Sequence, residues 1–284
     1  MTQSFATPIL RFGIIADPQY AAIEPHVGMD RYYANSLAKL GDAIEVFNGE
    51  DLSFVMTLGD IIDRDFASFD DILPVYEELK HENLFLLGNH DFSVAPEHLA
   101  HVSARVGLSA PHYSFVRHGW RFIVLNGNEV STFAPPEGHP HREIAAAKLA
   151  ELRAAGAINA NAWNAMASDE QFAWLADEIE AAGRANERVI VMNHYPVYPP
   201  NEHDCWDRER IIELLSPQDH VAAYFNGHNH VGNYGAVNGC HFVNFKGMVD
   251  TEAENAFAIV EIWPDRITIH GFGREDDRTL ALRA

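Results

Sequence analysis

Apolar positions along the chain fall into two patterns that alternate. Short continuous runs rich in Val, Ile, Leu and Phe recur, and between them lie stretches whose apolar residues repeat every three or four positions. The first pattern predicts buried strands and the second amphipathic helices. Their alternation predicts an α/β fold with parallel strands. Strands are expected over 9–16, 54–58, 84–87, 188–192 and 221–225. A helix is expected over 30–48, where Leu37, Leu40, Ile44 and Phe47 share a face and Asp30 stands as N-cap. A second, near 70–80, presents Ile72, Val75 and Leu79, with Pro74 tolerable only in its first turn.

Residues 92–111 read as a short helix and loop, and 113–117 with 120–126 flank His118-Gly119 as a hairpin. Pro135-Pro136 and Gly138 make 129–140 loop-like, and the Ala-rich stretch 142–155 should be helical. The region 129–166 is expected to form a cap or lid on a chain that otherwise reads as one domain over 1–284. Ser168 followed by Gln171 is a capping box for a helix that stops near Gly183. A loop over 199–207 leads to a short helix, 208–215, and the tail holds strands over 240–245, 257–263 and 266–271, the last two joined by a turn at Pro264-Asp265.

The ends of the strands carry the chemistry. The run 54–58 finishes in Gly59-Asp60-Ile61-Ile62-Asp63, where Gly59 lets the backbone turn sharply and approach a ligand. The run 9–16 ends in Asp17-Pro18-Gln19, and 84–87 in Gly88-Asn89-His90-Asp91. The run 188–192 ends in Asn193-His194, and 221–225 in Asn226-Gly227-His228-Asn229-His230. Each alone is an ordinary turn, cap or core histidine. Together, oxygen or nitrogen donors finish all five buried strands, which are expected to bring them to one sheet edge, where open α/β sheets place their sites. The donors exceed what one tetrahedral ion needs and include no thiolate cluster. Mixed carboxylate, amide and imidazole suit two first-row divalent ions, an arrangement that clamps attacking and leaving oxygens in phosphoryl displacement.

Composition narrows this further. The formal net charge is -21 over 284 residues, which repels nucleic acid and anionic membranes. A small anionic substrate is compatible if a metal supplies local positive charge. Cys205 and Cys240 are too few for a disulfide framework, Met1 to Pro8 lacks the pattern of a leader, and no apolar run reaches membrane-span length. A cytoplasmic setting is expected.

Asp-x-Gln, Gly-Asp-x-x-Asp, Gly-Asn-His-Asp, Asn-His and Gly-His-Asn-His, in this order, resemble the calcineurin-like metallophosphoesterase superfamily. That superfamily usually opens with Asp-x-His. Gln19 followed by Tyr20, with Arg31-Tyr32-Tyr33, Trp174-Leu175, His194 to Pro199, Cys205 and Gly271 to Arg274, is most similar to its manganese-dependent ADP-ribose/CDP-alcohol diphosphatase family. The likeness covers most of the chain except Phe92 to Ala165. It implies a four-layer α/β/β/α sandwich and hydrolysis of a nucleoside-diphosphate compound. It implies one metal on Asp17, Gln19, Asp60 and His230 and a second on Asp60, Asn89, His194 and His228. The metal would be manganese, with iron or zinc as alternatives. By the same resemblance His90 faces the leaving group, Asp91 orients it, Asp63 supports the site, and Cys205 with Trp206 line the substrate pocket. The rival readings are a cyclic-nucleotide phosphodiesterase or phosphomonoesterase of the same superfamily and, further off, a metal-bound scaffold without catalysis.

Overall fold

The buried runs do form strands, and they sort into two sheets rather than one. The computed structural model describes residues 7–283; the stretch Met1 to Ala6, on which the absence of a leader was expected, lies outside the described residues. The first sheet contains β1 (Leu10–Ile15), β2 (Phe54–Leu58), β3 (Glu82–Leu86), β10 (Ala256–Ile262), β11 (Arg266–Gly273) and β12 (Arg278–Ala281). Its order is β12-β11-β10-β1-β2-β3, with β1, β2 and β3 parallel and β10 antiparallel to β1. The second contains β4 (Tyr113–Arg117), β5 (Trp120–Val124), β6 (Arg188–Met192), β7 (Val221–Asn226), β8 (Asn233–Val237) and β9 (Cys240–Asn244). Its order is β4-β5-β6-β7-β9-β8, with β5, β6, β7 and β9 parallel.

The two sheets pack face to face. Alternate residues of β1 and β2 (Phe12, Ile14, Phe54, Met56, Leu58) meet Phe122, Val124, Ile190, Met192, Phe225 and Val243 of the other sheet in a single buried cluster. Phe12 stacks on Phe54 at 4.8 Å between ring centres, and Phe122 meets Phe12 and Phe54 edge-on at 5.4 and 5.1 Å. Such pairs contribute about 0.5–1.5 kcal/mol each beyond their buried area. The outer face of the first sheet is covered by α1 (Ser36–Asn48) and α2 (Ser68–Tyr76), through Leu40, Ile44, Phe47, Phe69 and Ile72. The outer face of the second is covered by α5 (Asp169–Ala185) and α6 (Arg208–Leu215), through Leu175, Ile179, Ile211 and Leu215. The result is the α/β/β/α sandwich. Of the remaining helices, the single-turn α3 (Val102–Arg105) adds Val102 to the cluster on the outer face of the first sheet, and α4 (Pro140–Ala154) packs apart from those layers, its Ala145 and Leu149 against Val130 and Trp206.

Several boundaries differ from the sequence pattern. Residues 27–29 and 33–35 are 3-10 turns, so α1 starts at Ser36, and Asp30 is a left-handed residue between the turns instead of a helix cap. Pro74 sits in the last turn of α2, where the short helix is already ending and Glu77 donates to Leu73. The capping box is half-formed: Ser168 accepts from the Gln171 N–H at 3.0 Å, but the Gln171 amide turns away to Asn126 and Glu129. β8 and β12 carry no strand pattern in the sequence; both are short edge strands with small or polar residues.

Candidate metal centre

The expectation of one sheet edge is corrected by the topology. Asp17, Gln19, Asp60 and Asn89 follow strands of the first sheet, and His194, His228 and His230 follow β6 and β7 of the second. Face-to-face packing brings the two sets together. The residues after β9 tie the seam: Met248 and Val249 donate to the carbonyls of Ala16 and Asp17 at 2.8 and 3.0 Å, and Gly247 donates to His230 at 3.1 Å. Gln19 N–H donates to Asp60 at 2.6 Å.

The backbone at these ends is held in unusual conformations. Asp17, Gln19, Asp60 and His228 all have positive φ, at 48, 46, 51 and 67°. Non-glycine residues adopt that region at a cost, and such residues gather at functional sites. Gly88 shows how tightly the ends are drawn together. A Cβ there would fall inside the Asp60 carboxylate and lie 2.5 Å from His194 Cε1 and 2.6 Å from the Asp60 nitrogen.

Two clusters of donor atoms result, each with its atoms within 4.8 Å of one another: Asp60, His194 and His228, and Asp17, Asp60 and His230. Asp60 belongs to both. Asn89 Oδ1 lies 3.1 Å from His194 Nε2, and Gln19 is fully buried. The hydrogen-bonding logic of the first cluster is that of a cation site. His194 Nδ1 is 2.8 Å from the Leu58 carbonyl, so in the neutral ring, the form that can bind a cation, it carries the proton and leaves Nε2 as a lone pair. That nitrogen faces His228 Nδ1 at 3.1 Å and Asp60 Oδ2 at 3.3 Å. Acceptors thus converge on acceptors. Asp60 Oδ2 and both polar atoms of Gln19 are buried without a hydrogen bond. A buried polar atom left this way costs about 1–3 kcal/mol, and divalent cations coordinated by Asp60 Oδ2 and Gln19 Oε1 would remove the cost for those two oxygens. The residues present therefore fit two metal ions.

Electrostatics point the same way. Burial opposes ionisation of Asp60, but His194 and His90 hold its carboxyl well below the usual range. Burial pushes Asp17 up to about 6 against the pull of His230 and His194. Burial disfavours charge on His194, yet Asp60 and Asp17 raise it to about 9. The pocket favours added positive charge.

His230 resembles His194 in being oriented from behind: its Nδ1 lies 2.8 Å from Asp250 Oδ1. Lys39, buried beneath, donates to the carbonyls of Met248, Asp250 and Thr251 at 3.0, 2.8 and 2.7 Å and fixes the turn that carries Asp250. Neither residue stands out in the sequence, because neither follows a strand in a recognisable motif.

Two expectations are corrected here. Asp91 does not orient His90. Its oxygens accept from the N–H groups of Ile61, Ile62 and Gly88 at 2.8, 3.1 and 2.8 Å, which staples the Asp60 turn to the Asn89 turn. The carboxylate on His90 is Asp63, with Oδ1 2.8 Å from Nδ1. Burial alone would lower His90, but Asp60 and Asp63 raise it. Cys205 and Trp206 do not line the cleft either. Cys205 is packed among Tyr195, Val197, Ile211 and Tyr224, and Trp206 among Val130, Ala145 and Leu149, both fully covered because this loop forms the seat of the 129–166 segment.

The cleft over the two clusters has a volume of about 360 Å³ and is lined by Met29, Arg31, Ser93, His90, Trp163 and His203 beside the donor groups. That is within the range of small-molecule sites.

The model of the calcineurin-like phosphoesterases matches residues 10–232. The chain belongs to that family. It is a metal-dependent hydrolase. Among curated proteins, the human protein named manganese-dependent ADP-ribose/CDP-alcohol diphosphatase is 27% identical over 316 residues, covering 96% of this chain and 92% of its own. The protein of the same name from Arabidopsis thaliana is 28% identical over 299 residues, covering 94% and 95%. Among solved structures, a dimetal phosphatase from Danio rerio superposes with a TM-score of 0.85 at 25% identity, covering 97% of this chain and 100% of that one. The calcineurin-like assignment made from the strand-end motifs thus holds for the fold and the class of chemistry.

Proposed function

We propose that the chain is a manganese-dependent hydrolase that cleaves the diphosphate bond of nucleoside-diphosphate compounds such as ADP-ribose or CDP-alcohols. The observation that carries the reading is the shared carboxylate: Asp60 is common to two clusters of buried donor atoms at the base of an open cleft. The names of the relatives, matched over nearly the whole chain, point to the substrate class.

Asp17, Gln19, Asp60 and His230 would hold one ion, and Asp60, Asn89, His194 and His228 the other. When bound, such ions withdraw charge from phosphoryl oxygens and lower the pKa of water. The chain supplies the rest. Leu58 and Asp250 fix the tautomers of His194 and His230. His90 lines the cleft with Nδ1 held by Asp63, so its other edge is free to meet the leaving oxygen. Arg31 is the cleft's arginine, suited to a phosphate away from the ions, and the half-exposed indole of Trp163 offers a flat face to a base. In this reading the segment 129–166 acts as a cap, since Trp163 comes from it. Among the described residues no helix is long and apolar enough to cross a membrane, and two buried free thiols favour the cytoplasm.

A substrate panel tests the proposal. With Mn²⁺, turnover should be highest on ADP-ribose or a CDP-alcohol, releasing two monophosphate products. Best activity on a cyclic nucleotide or a simple phosphomonoester would favour the rival hydrolases, and no turnover on any of them would favour the scaffold.

A further inference from the structure

We propose that Asn164, carried on the 129–166 segment, sets the orientation and tautomer of His228 and thereby the strength of one of the two metal positions. The segment is then part of the metal site as well as its cover. The inference rests on the two-ion reading above and goes further, to a positioning residue outside the superfamily motifs.

Asn164 is fully buried. Its Nδ2 donates to two carbonyls, Asn159 O at 3.1 Å and Glu202 O at 2.7 Å. Carbonyls only accept, so the nitrogen must face them and the amide cannot be flipped. The atom left over is Oδ1, 3.0 Å from His228 Nε2. An amide oxygen only accepts, so Nε2 must carry the hydrogen. Neutral His228 then has its lone pair on Nδ1, the nitrogen that faces His194 Nε2 at 3.1 Å. Two carbonyls on one side of the amide therefore dictate which nitrogen points its lone pair into the donor cluster.

The three histidines differ in where this control comes from. His194 takes it from the Leu58 carbonyl and His230 from Asp250, both in the two-sheet body. His228 takes it from the segment. The rings of Tyr195 and His203 pack against His228 at 4.7 and 5.2 Å between centres without hydrogen-bonding its nitrogens, and His194 meets it inside the donor cluster, Nε2 to Nδ1 at 3.1 Å. His228 belongs to the cluster with Asp60 and His194, and not to the cluster with Asp17 and His230. Loss of the Asn164 oxygen should thus weaken one position and spare the other.

The bland alternative is that Asn164 only seats the segment. Other residues already do so: Asn159 Nδ2 donates to Cys205 O at 2.7 Å, Asn161 Nδ2 to Glu202 O at 3.0 Å, and Trp206 N–H to Ala165 O at 3.0 Å. A seating role uses the two donors of Asn164 and has no need of its acceptor.

The experiment titrates Mn²⁺ into wild type, Asn164→Ala and Asn161→Ala, reading free Mn²⁺ by electron paramagnetic resonance, with circular dichroism and melting curves to check the fold. Wild type should bind two ions. Asn164→Ala should bind one ion with wild-type affinity and the other about 10–100-fold more weakly, the usual cost of losing a group that orients a ligand. Asn161→Ala, which removes a neighbouring bond to the same Glu202 carbonyl, should bind both as wild type does. Unchanged binding by Asn164→Ala, parallel weakening of both ions, or the same selective loss in Asn161→Ala would overturn the inference. If Asn164→Ala does not fold, imidazole ¹⁵N shifts of metal-free wild type decide: His228 protonated on Nε2 supports the inference, and on Nδ1 overturns it. Wild type that binds fewer than two ions would defeat the two-ion reading and this inference with it, whereas two ions in wild type with no effect of Asn164→Ala defeats the inference alone.

Discussion

Adding one methyl group at Gly88 should disable the site without replacing a donor. The Cβ of Gly88→Ala would lie 2.6 Å from the Asp60 backbone nitrogen and 2.5 Å from His194 Cε1, where real contacts stay above 3.0 Å and ordinary ones above 3.4 Å. The nitrogen is backbone, so the two turns must part by at least 0.4 Å, and by 0.8 Å to reach ordinary contact. Neither neighbour is free to swing: His90 N–H holds Asp60 Oδ1 at 2.8 Å, and Leu58 holds His194. Metal–ligand distances tolerate only about 0.2 Å. We therefore expect Mn²⁺ affinity at the position served by Asp60 and His194 to fall at least about 10–100-fold, and kcat with it. Overpacking should also cost about 1–3 kcal/mol, read as a drop in Tm of about 2–4 °C per kcal/mol. Gly41→Ala in α1 is the control, because nothing lies within 4 Å of its added Cβ. It should leave metal binding alone and raise stability by about 0.5–1 kcal/mol. The assays are Mn²⁺ titration, turnover of ADP-ribose and thermal melting. Gly88→Ala protein with both metals at wild-type affinity and wild-type turnover would refute the claim that close approach of the two turns sets the donor geometry.

Three further outcomes are expected. His90→Ala should keep its metal content and lose about 10²-fold or more in kcat, since His90 lines the cleft and belongs to neither donor cluster; metal loss would make it a ligand. Gln19→His should tighten metal binding and move the substrate profile away from diphosphates, measured by metal titration and the substrate panel, because it replaces a buried, unpartnered amide with an imidazole. An unchanged profile would leave the function standing but remove Gln19 as its cause. Stability of the metal-free protein should depend on Asp207, whose oxygens are buried without partners and which burial raises from 3.8 to about 7. The folded state then holds a proton that the unfolded state releases, so this group's contribution declines as pH rises from about 3.8 to about 7 and stays low above. Asp207→Asn should flatten that decline in denaturant midpoints taken across pH, and an equally steep decline in the variant would show that the carboxyl is not responsible.

The five buried strands were legible because they combine continuous apolar runs with abrupt polar endings, as Phe54 to Asp60 does. The donors that the fold brings into two clusters, Asp17, Asp60, His194, His228 and His230, were legible for the same reason, as each follows its strand within a few residues. What the sequence pattern could not supply was the partition into two sheets. A parallel strand buried on both faces looks the same in either, and Asp17 and His228 meet only because the sheets stack. The groups behind the donors were hidden too. Asp250 and Asn164 lie in loops, 20 and 64 positions from the histidines they hold, where neither periodicity nor a local motif marks them. The cluster Asn159, Asn161 and Asn164 within an Ala-rich stretch is the one visible signal, since buried amides in a loop must have partners. The errors at Asp91 and Cys205 share a cause. A resemblance transfers position along the chain, but whether a side chain faces the cleft or the backbone behind it depends on the local turn, and here Asp91 turns back to three N–H groups while Asp63 reaches His90.

The central claim is that one buried carboxylate serves two metal positions. Equilibrium dialysis of wild type and Asp60→Ala against Mn²⁺, with turnover of ADP-ribose measured on the same samples, tests it directly. Two ions should bind per wild-type chain, and in the variant both should bind more weakly and turnover should be abolished. An Asp60→Ala protein that holds two ions at full occupancy and still turns over would contradict it.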